Sequence, residues 1–144
     1  MSSIWFSSIS VDTLNARNQG TLATLLKITF TKVEPDAVTA QMTISKEVLQ
    51  PYGIVHGGAY CVLAETVAST AANYCIDASQ FYCVGIDLNI NYVHAMQRGI
   101  AIAVAKPFHL GKSTQVWGID IHDVSAKRIS VCRMTLAVLS HSAK

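Results

Sequence analysis

Charged residues are scarce in this sequence: they fill 14% of its 144 positions, against about a quarter in an ordinary soluble domain. Hydrophobic residues account for 51%. A surface with so little charge indicates that part of it is covered by further copies of the chain, so we expect a homo-oligomer. The net charge is +2, and Lys and Arg are scattered along the chain. That distribution argues against a nucleic-acid partner and suits a small anionic substrate.

Signals for metal binding, disulfides and secretion are also missing. The four cysteines form no CxxC pair, so we expect neither a metal site nor a disulfide framework. The N-terminal residues lack the charged and long apolar segments of a secretory signal, which, with reduced thiols, predicts a cytoplasmic protein. Proline and glycine are sparse and no linker or repeat divides the chain. Residues 1–144 are therefore expected to form a single domain.

Alternating polar and apolar residues predict most of the strands. Residues 27–33 and 38–44 flank a turn at 34–36 and predict a β-hairpin. Further strands are expected in residues 84–94, 100–104, 117–122 and 129–139, with Val84, Ile86, Leu88 and Ile90 on one face of the first. Residues 10–20 suit a short helix capped by Ser10.

One long segment differs in character from these strands. Residues 57–76 are rich in alanine, contain no proline and are apolar on nearly every face, which predicts a helix in the middle of the protein. The length raises the question of a membrane span, but His56, Glu65 and Asn73 and the strand-rich remainder argue against one. Strands on both sides of a single helix indicate an α+β fold, with one antiparallel sheet wrapped around that helix.

Glu65 is out of place in this helix, because it is the one formally charged residue between Glu47 and Asp77. Burying an unpaired carboxylate is costly. A structural ion pair is one explanation, and a catalytic role is the other. Ser69 lies four residues further on, on the same helical face, where its hydroxyl can reach the carboxylate.

Glycines open the same helix. Gly57 and Gly58 allow a ligand close to the backbone, where free N–H groups at a helix N-terminus can polarise a carbonyl oxygen. Eight residues separate Gly57 from Glu65, a rise of roughly 12 Å along a helix. That is a long reach for one carbonyl group to contact both residues within a single chain. Antiparallel helices of two subunits would bring Gly57 of one to Glu65 of the other.

The sequence from Gln50 to Ala59 (QPYGIVHGGA), followed by Leu63-Ala64-Glu65-Thr66 and Ser69, resembles the hot-dog-fold acyl-CoA thioesterases. The likeness is to the 4-hydroxybenzoyl-CoA and phenylacetate-pathway types, and above all to the dihydroxynaphthoyl-CoA thioesterases of menaquinone synthesis. It extends over nearly the whole chain. The resemblance implies hydrolysis of an aromatic or medium-chain acyl-CoA, without metal or cofactor, in a homotetramer built from dimers.

The resemblance also implies roles for individual residues. Glu65 would be the nucleophile or the general base, and Ser69 would position the water or the carboxylate. The Gly57 N–H would bind the thioester oxygen, with Gln50 and His56 near the acyl carbonyl and Gly58 beside the substrate. The remaining expected substrate contacts are Tyr92 and His94 at the acyl pocket and, for the CoA phosphates, Lys112 and Ser113.

One departure bears on specificity. Where the menaquinone-type enzymes tend to show Asn-His-Val-Arg, this chain has Asn91-Tyr92-Val93-His94. Tyr92 and His94 change the hydrogen bonding and the charge around the acyl pocket, which puts a preference for the naphthoyl substrate in doubt.

Two other functions remain open at the level of sequence. A hot-dog dehydratase acting on hydroxyacyl thioesters relies on a His paired with a carboxylate in a different motif, which this sequence lacks. A non-catalytic acyl-CoA-binding module usually accompanies a DNA-binding segment, and it would have no need of Glu65. The hydrolase prediction depends on Glu65, Gly57 and Gln50 occurring together.

Overall fold

A computed structural model describes residues 2–141. In chain order its helices and strands are α1 (Val11–Arg17), α2 (Leu22–Leu25), β1 (Ile28–Glu34), β2 (Ala37–Thr43), a 3-10 turn (Lys46–Val48), α3 (Gly57–Tyr74), β3 (Phe81–Tyr92), β4 (Ile100–Leu110), β5 (Thr114–His122) and β6 (Arg128–Ser140). One long helix and six strands confirm the predicted α+β fold.

The six strands form one antiparallel sheet in the order β1-β2-β4-β5-β6-β3. The predicted hairpin is confirmed, since β1 pairs with β2 around the turn. The strand β3 follows α3 directly in the chain but lies at the far edge of the sheet, next to β6. The helix α3 therefore carries the chain across the sheet from β2 to β3, and among residues 2–141 β3 is left with one unpaired edge.

The helix α3 lies against the sheet and supplies the centre of the core. It begins at Gly57, as predicted, and ends at Tyr74, two residues before the predicted end. Its sheet-facing residues are small and fully buried, which lets the backbone of the sheet approach closely. They include Ala64, Ala68, Ala71 and Ala72, with Leu63 and Val67.

The sheet contributes an alternating set of larger side chains to the same core. Trp117, Ile119 and Ile121 of β5 and Cys132, Met134 and Leu136 of β6 are buried. A buried glutamine ties this layer to the helix. The Gln115 side-chain amide donates to the Ala72 carbonyl at 3.3 Å and accepts from the Trp117 indole at 2.9 Å.

The strand β3 does not keep one set of residues on one face, so that prediction was wrong. Its pairing with β6 shifts between Gly85 and Asp87, leaving Ile86 as an extra residue in a β-bulge. Cys83 lies on the helix-facing side before the bulge, and Leu88 and Ile90 lie there after it, opposite the buried Met134 and Cys132. Val84 and Ile86 are exposed instead.

The segment before β1 packs as an extra layer. Ser10 caps α1 as predicted, accepting a hydrogen bond from the Thr13 N–H at 3.2 Å. The Asn15 side chain then pairs with the N–H and the carbonyl of Phe30 at 2.8 and 3.0 Å, which fixes α1 on β1. Within residues 2–141, no helix is long and apolar enough to cross a membrane.

Candidate functional site

A tight loop of residues 49–55 precedes α3. Gln50 and Ile54 are joined by a backbone hydrogen bond of 2.8 Å, and Leu49 and Val55 form an isolated bridge. Gly53 closes the turn at a φ of +77°, a conformation that side chains rarely adopt. The loop thus places Gln50 beside the first turn of α3.

His56 occupies the N-cap position of α3. Its Nδ1 accepts a hydrogen bond from the Gly58 N–H at 2.8 Å, the task that Ser or Asp performs at most helix starts. The capping bond accounts for the Gly58 N–H, and the Ala59 N–H binds the His56 carbonyl. The Gly57 N–H has no partner among residues 2–141. Of the two predicted glycines, Gly57 is therefore the one with a donor to offer a ligand.

A cavity of about 380 Å³ opens next to this donor. Four of the residues predicted at the site line it together, namely Gln50, Gly57, Tyr92 and His94. Its other walls are mainly apolar and come from Ile54, Val55, Tyr60, Val93 and Ala95. The His94 ring is fixed through Nδ1 to the Arg128 carbonyl at 2.8 Å, which leaves Nε2 as its second polar atom.

Tyr92 covers the helix N-terminus from the end of β3. A Cβ added to Gly57 would lie 2.8 Å from Cζ of Tyr92, so glycine is required for this approach. The hydroxyl of Tyr92 lies 3.2 Å from Sγ of Cys61, one turn further along α3. Partial burial, and to a smaller extent the contact with Cys61, raises the pKa of Tyr92 to about 12. The phenol is therefore neutral at physiological pH and can donate a hydrogen bond.

Tyr60 is a site residue that sequence reasoning missed. It is 3% exposed and lines the cavity, with its ring centroid 6.2 Å from that of Tyr92. Burial raises the pKa of Tyr60 to about 12; the Met96 backbone amide opposes the shift without reaching hydrogen-bond geometry. Within an apolar helix a tyrosine resembles any core aromatic, so no sequence pattern marks Tyr60 as part of a cavity wall.

Glu65 lies two turns further along α3, half-buried. Ser69 Oγ donates to Glu65 Oε1 at 3.2 Å, which confirms that the two share a helical face. No ion pair to Glu65 is present among residues 2–141, so the structural explanation of this carboxylate loses its support. A Cβ on Gly85 of β3 would lie 2.5 Å from Glu65 Oε1. Gly85, a second missed residue, leaves the space that the carboxylate fills.

The two groups of residues remain apart within one chain. Glu65 and Ser69 do not line the cavity beside Gly57, and the eight-residue separation along α3 amounts to roughly 12 Å. Lys112 and Ser113 lie on the exposed turn between β4 and β5, and neither lines the cavity beside Gly57. A cavity of about 410 Å³ on the other face of the sheet holds one carboxylate, Asp120, which is already paired with Arg128 at 2.7 Å.

Metal ligands do not converge at either place. No group of three His, Cys, Asp or Glu side chains suited to a metal ion occurs within residues 2–141. All four cysteines are free thiols. The chemistry available is that of a carboxylate with a hydroxyl beside it, and of an unpaired backbone donor at a helix N-terminus.

Comparison with known proteins assigns this arrangement to a family. The sequence pattern of the thioesterase superfamily matches residues 52–129, which include Gly57, Glu65 and Tyr92. A candidate esterase of Vibrio cholerae is 43% identical over 94% of this chain and 90% of its own length. The 1,4-dihydroxy-2-naphthoyl-CoA hydrolase of Escherichia coli is 37% identical over 94% of this chain and 99% of its own.

Solved structures agree with the sequence relatives. A mutant thioesterase from Pseudomonas aeruginosa superimposes with a TM-score of 0.94 at 36% identity, covering 96% of this chain and all of that one. The similarity extends from β1 to β6 and includes α3 with the segment that precedes it. This chain belongs to the thioesterase superfamily, has its hot-dog fold, and is a thioester hydrolase.

Proposed function

We propose that the chain hydrolyses an aromatic or medium-chain acyl-CoA in a site shared by two copies, with Glu65 of one copy facing Gly57 of the other. The observation that carries the proposal is the pair of incomplete half-sites on α3. The Glu65 carboxylate has a hydroxyl beside it but does not line the cavity, and the cavity beside the Gly57 N–H has no carboxylate among its lining residues.

The strand β3 supports a shared site. Its outer edge is unpaired in one chain, and a long exposed edge favours strand addition by a second copy. Gly85 of β3 lies over Glu65 and Tyr92 of β3 lies over Gly57. Antiparallel pairing of two β3 strands about a two-fold axis near residues 88–89 would set Gly85 of one copy opposite Tyr92 of the other. The same axis would exchange Glu65 and Gly57.

The reaction follows from these groups. As a general base, Glu65 takes a proton from water while the oxygen attacks the thioester carbon. The carbonyl oxygen gains negative charge and is stabilised by the Gly57 N–H and the positive end of α3. Collapse breaks the carbon–sulfur bond, and the protonated Glu65 returns its proton to the departing CoA thiolate. Direct attack by the carboxylate, giving an anhydride that water hydrolyses, uses the same geometry.

The substrate class follows from the cavity walls. Tyr60 and Tyr92 present rings and Ile54, Val55 and Val93 present aliphatic side chains, which suits an aromatic or medium-length acyl group. The E. coli relative takes its name from a naphthoyl-CoA. Lys112 and Ser113, exposed on their turn, are our candidates for contacts to the CoA phosphates. The mechanism needs neither metal nor cofactor.

Thiol release from a panel of aromatic and aliphatic acyl-CoAs tests the proposal. Glu65→Gln keeps the shape of the side chain and removes its basicity, so kcat should fall by roughly 100-fold or more. Glu47→Gln is the matched control, because that carboxylate is exposed on the turn before Gln50. The control should keep wild-type kcat.

Three results would contradict the proposal, each in a different way. Equal turnover by wild type and Glu65→Gln would remove Glu65 from the mechanism. Binding of acyl-CoA without thiol release by the wild type would favour the binding module. Loss of water from a hydroxyacyl-CoA without thiol release would favour the dehydratase.

A further inference from the structure

The wall of the acyl cavity depends on a contact that neither the half-site geometry nor the family comparison explains. Tyr92 extends from the last residue of β3, and its side chain is 51% exposed. An exposed aromatic ring at a strand end has several rotamers open to it. In this structure the ring nevertheless lies within van der Waals distance of Gly57, directly over the start of α3.

Cys61 supplies the polar contact that selects this rotamer. Its Sγ lies 3.2 Å from the Tyr92 hydroxyl, within hydrogen-bond range for sulfur. Because Cys61 stands four residues after Gly57, it lies one turn along the same face of α3. The outer end of the Tyr92 side chain therefore lies over the first turn of α3, with Cζ and the hydroxyl over Gly57 and the hydroxyl also in contact with Cys61. The Tyr60 ring, 6.2 Å away, borders it on the cavity side.

This contact fixes the position of Tyr92 at the cavity. Because the hydroxyl is held between Gly57 and Cys61, the ring cannot turn to another rotamer without breaking the contact. The other polar groups of the cavity belong to Gln50, His94 and the Gly57 backbone. If Tyr92 swung away, the cavity would lose one wall and join the solvent above the helix N-terminus.

We propose that Cys61 is a positioning residue that holds Tyr92 as a fixed wall of the acyl cavity, so that the pair sets which acyl groups the enzyme accepts. The inference rests on the proposed function, since it concerns selectivity at that cavity. Cys61 itself takes no part in bond making or breaking.

The test compares four single variants and one double variant, Cys61→Ala with Tyr92→Phe, on acyl-CoAs of increasing acyl size. Cys61→Ala and Tyr92→Phe each remove one partner of the contact, whereas Cys61→Ser keeps a donor and an acceptor of similar size. Cys75→Ala is the matched control, because Cys75 is a half-buried cysteine at the other end of α3. The readouts are KM and kcat for each acyl group.

We expect Cys61→Ala to raise KM for small acyl groups by roughly three- to tenfold, the range of one net hydrogen bond. The ratio of kcat/KM between large and small acyl groups should shift toward the large ones, with little change in kcat. Tyr92→Phe should shift the ratio equally, and the double variant no further, because both changes break one contact. Cys61→Ser and Cys75→Ala should both keep the wild-type ratio.

Two results would overturn the inference. An unchanged ratio in Cys61→Ala would show that the contact does not hold the ring. Equal impairment in Cys61→Ala and Cys61→Ser would assign the effect to packing of the sulfur atom. Acyl-CoA affinities of the same variants, measured by calorimetry, give the same comparison without turnover, so absence of thiol release would contradict the proposed function alone.

Discussion

The first turn of α3 and its middle differ in what surrounds them. Around Gly57 the helix meets a cavity, two tyrosine rings and an unpaired backbone donor. Around Glu65 it meets a serine hydroxyl, a glycine of β3 and the Met134 side chain, and this region contributes nothing to the cavity beside Gly57. In the proposed function the first region receives the acyl group and the second supplies the base. The difference teaches that one chain keeps an apolar cavity and a carboxylate apart on the same helix.

The largest expected effect comes from removing the donor in the first region. Gly57→Pro removes the N–H, and proline is well tolerated at the first helical position. His56 already has the extended conformation that a following proline requires, with ψ at 132°. Loss of an oxyanion donor should lower kcat by roughly 100- to 1,000-fold. Gly57→Ala brings the same Cβ against Tyr92 but keeps the N–H, so a smaller loss there isolates the donor.

Mixing the two defective chains then shows whether the regions meet across copies. Neither Gly57→Pro nor Glu65→Gln should act alone, but a mixed dimer would hold one intact site. Random reassociation should therefore recover about a quarter of wild-type activity in a two-fold symmetric dimer. Activity that stays at the level of the separate variants after verified mixing would place both groups in one chain's site and contradict the shared arrangement.

A smaller effect should follow from crowding the second region. Gly85→Ala would put a Cβ 2.5 Å from Glu65 Oε1 and 2.6 Å from the Met134 side chain, so the carboxylate must move. Displacement of a catalytic group by about 1 Å typically costs up to roughly 100-fold, and we expect kcat to fall by about tenfold. Gly118→Ala is the control, because the atom it meets belongs to the exposed Phe108 ring. Unchanged kcat in Gly85→Ala would show that the Glu65 carboxylate can shift without loss of activity.

The smallest effect concerns stability in alkali and belongs to the first region. Burial raises the pKa of Tyr60 from 10.0 to about 12. A raised pKa means that the folded state holds the proton more tightly, so this stabilisation is complete below pH 10 and is lost as the pH rises toward 12. Tm should fall by roughly a few degrees across that interval. Tyr60→Phe should reduce the slope of Tm against pH, and an identical slope would contradict burial as the cause.

Local patterns predicted much of this fold. The alanine-rich run from 57 onward identified α3, because small apolar residues on every face require burial on every side. The hairpin was predictable since Glu34-Pro35-Asp36 interrupts two alternating segments. Glu65 was predicted as a site residue because it is a charge within an apolar helix, and Gly57 because it lies at the start of that helix.

The missed features depend on contacts between distant parts of the chain. Nothing in the alternation of β3 marks Ile86 as an extra residue, because a bulge is defined by its partner strand. Gly85 is read as a weak strand residue until Glu65 is placed beneath it. Tyr60 and Cys61 look like ordinary helix residues in the sequence. Their role at the cavity depends on contacts with Tyr92, which is about 30 residues away in the chain and is brought to α3 by the tertiary structure.

The bulge at Ile86 also decides which residue of β3 lies over the carboxylate. Before it, odd-numbered residues of β3 face the helix, and after it the even-numbered residues do. A regular ladder that included Ile86, with the pairing of residues 87–92 kept, would turn Gly85 outward and bring the larger Ile86 side chain over Glu65. The bulge therefore lets one strand present a glycine to Glu65 and apolar side chains to the core further along. The site depends on this change of phase as much as on the identity of Gly85.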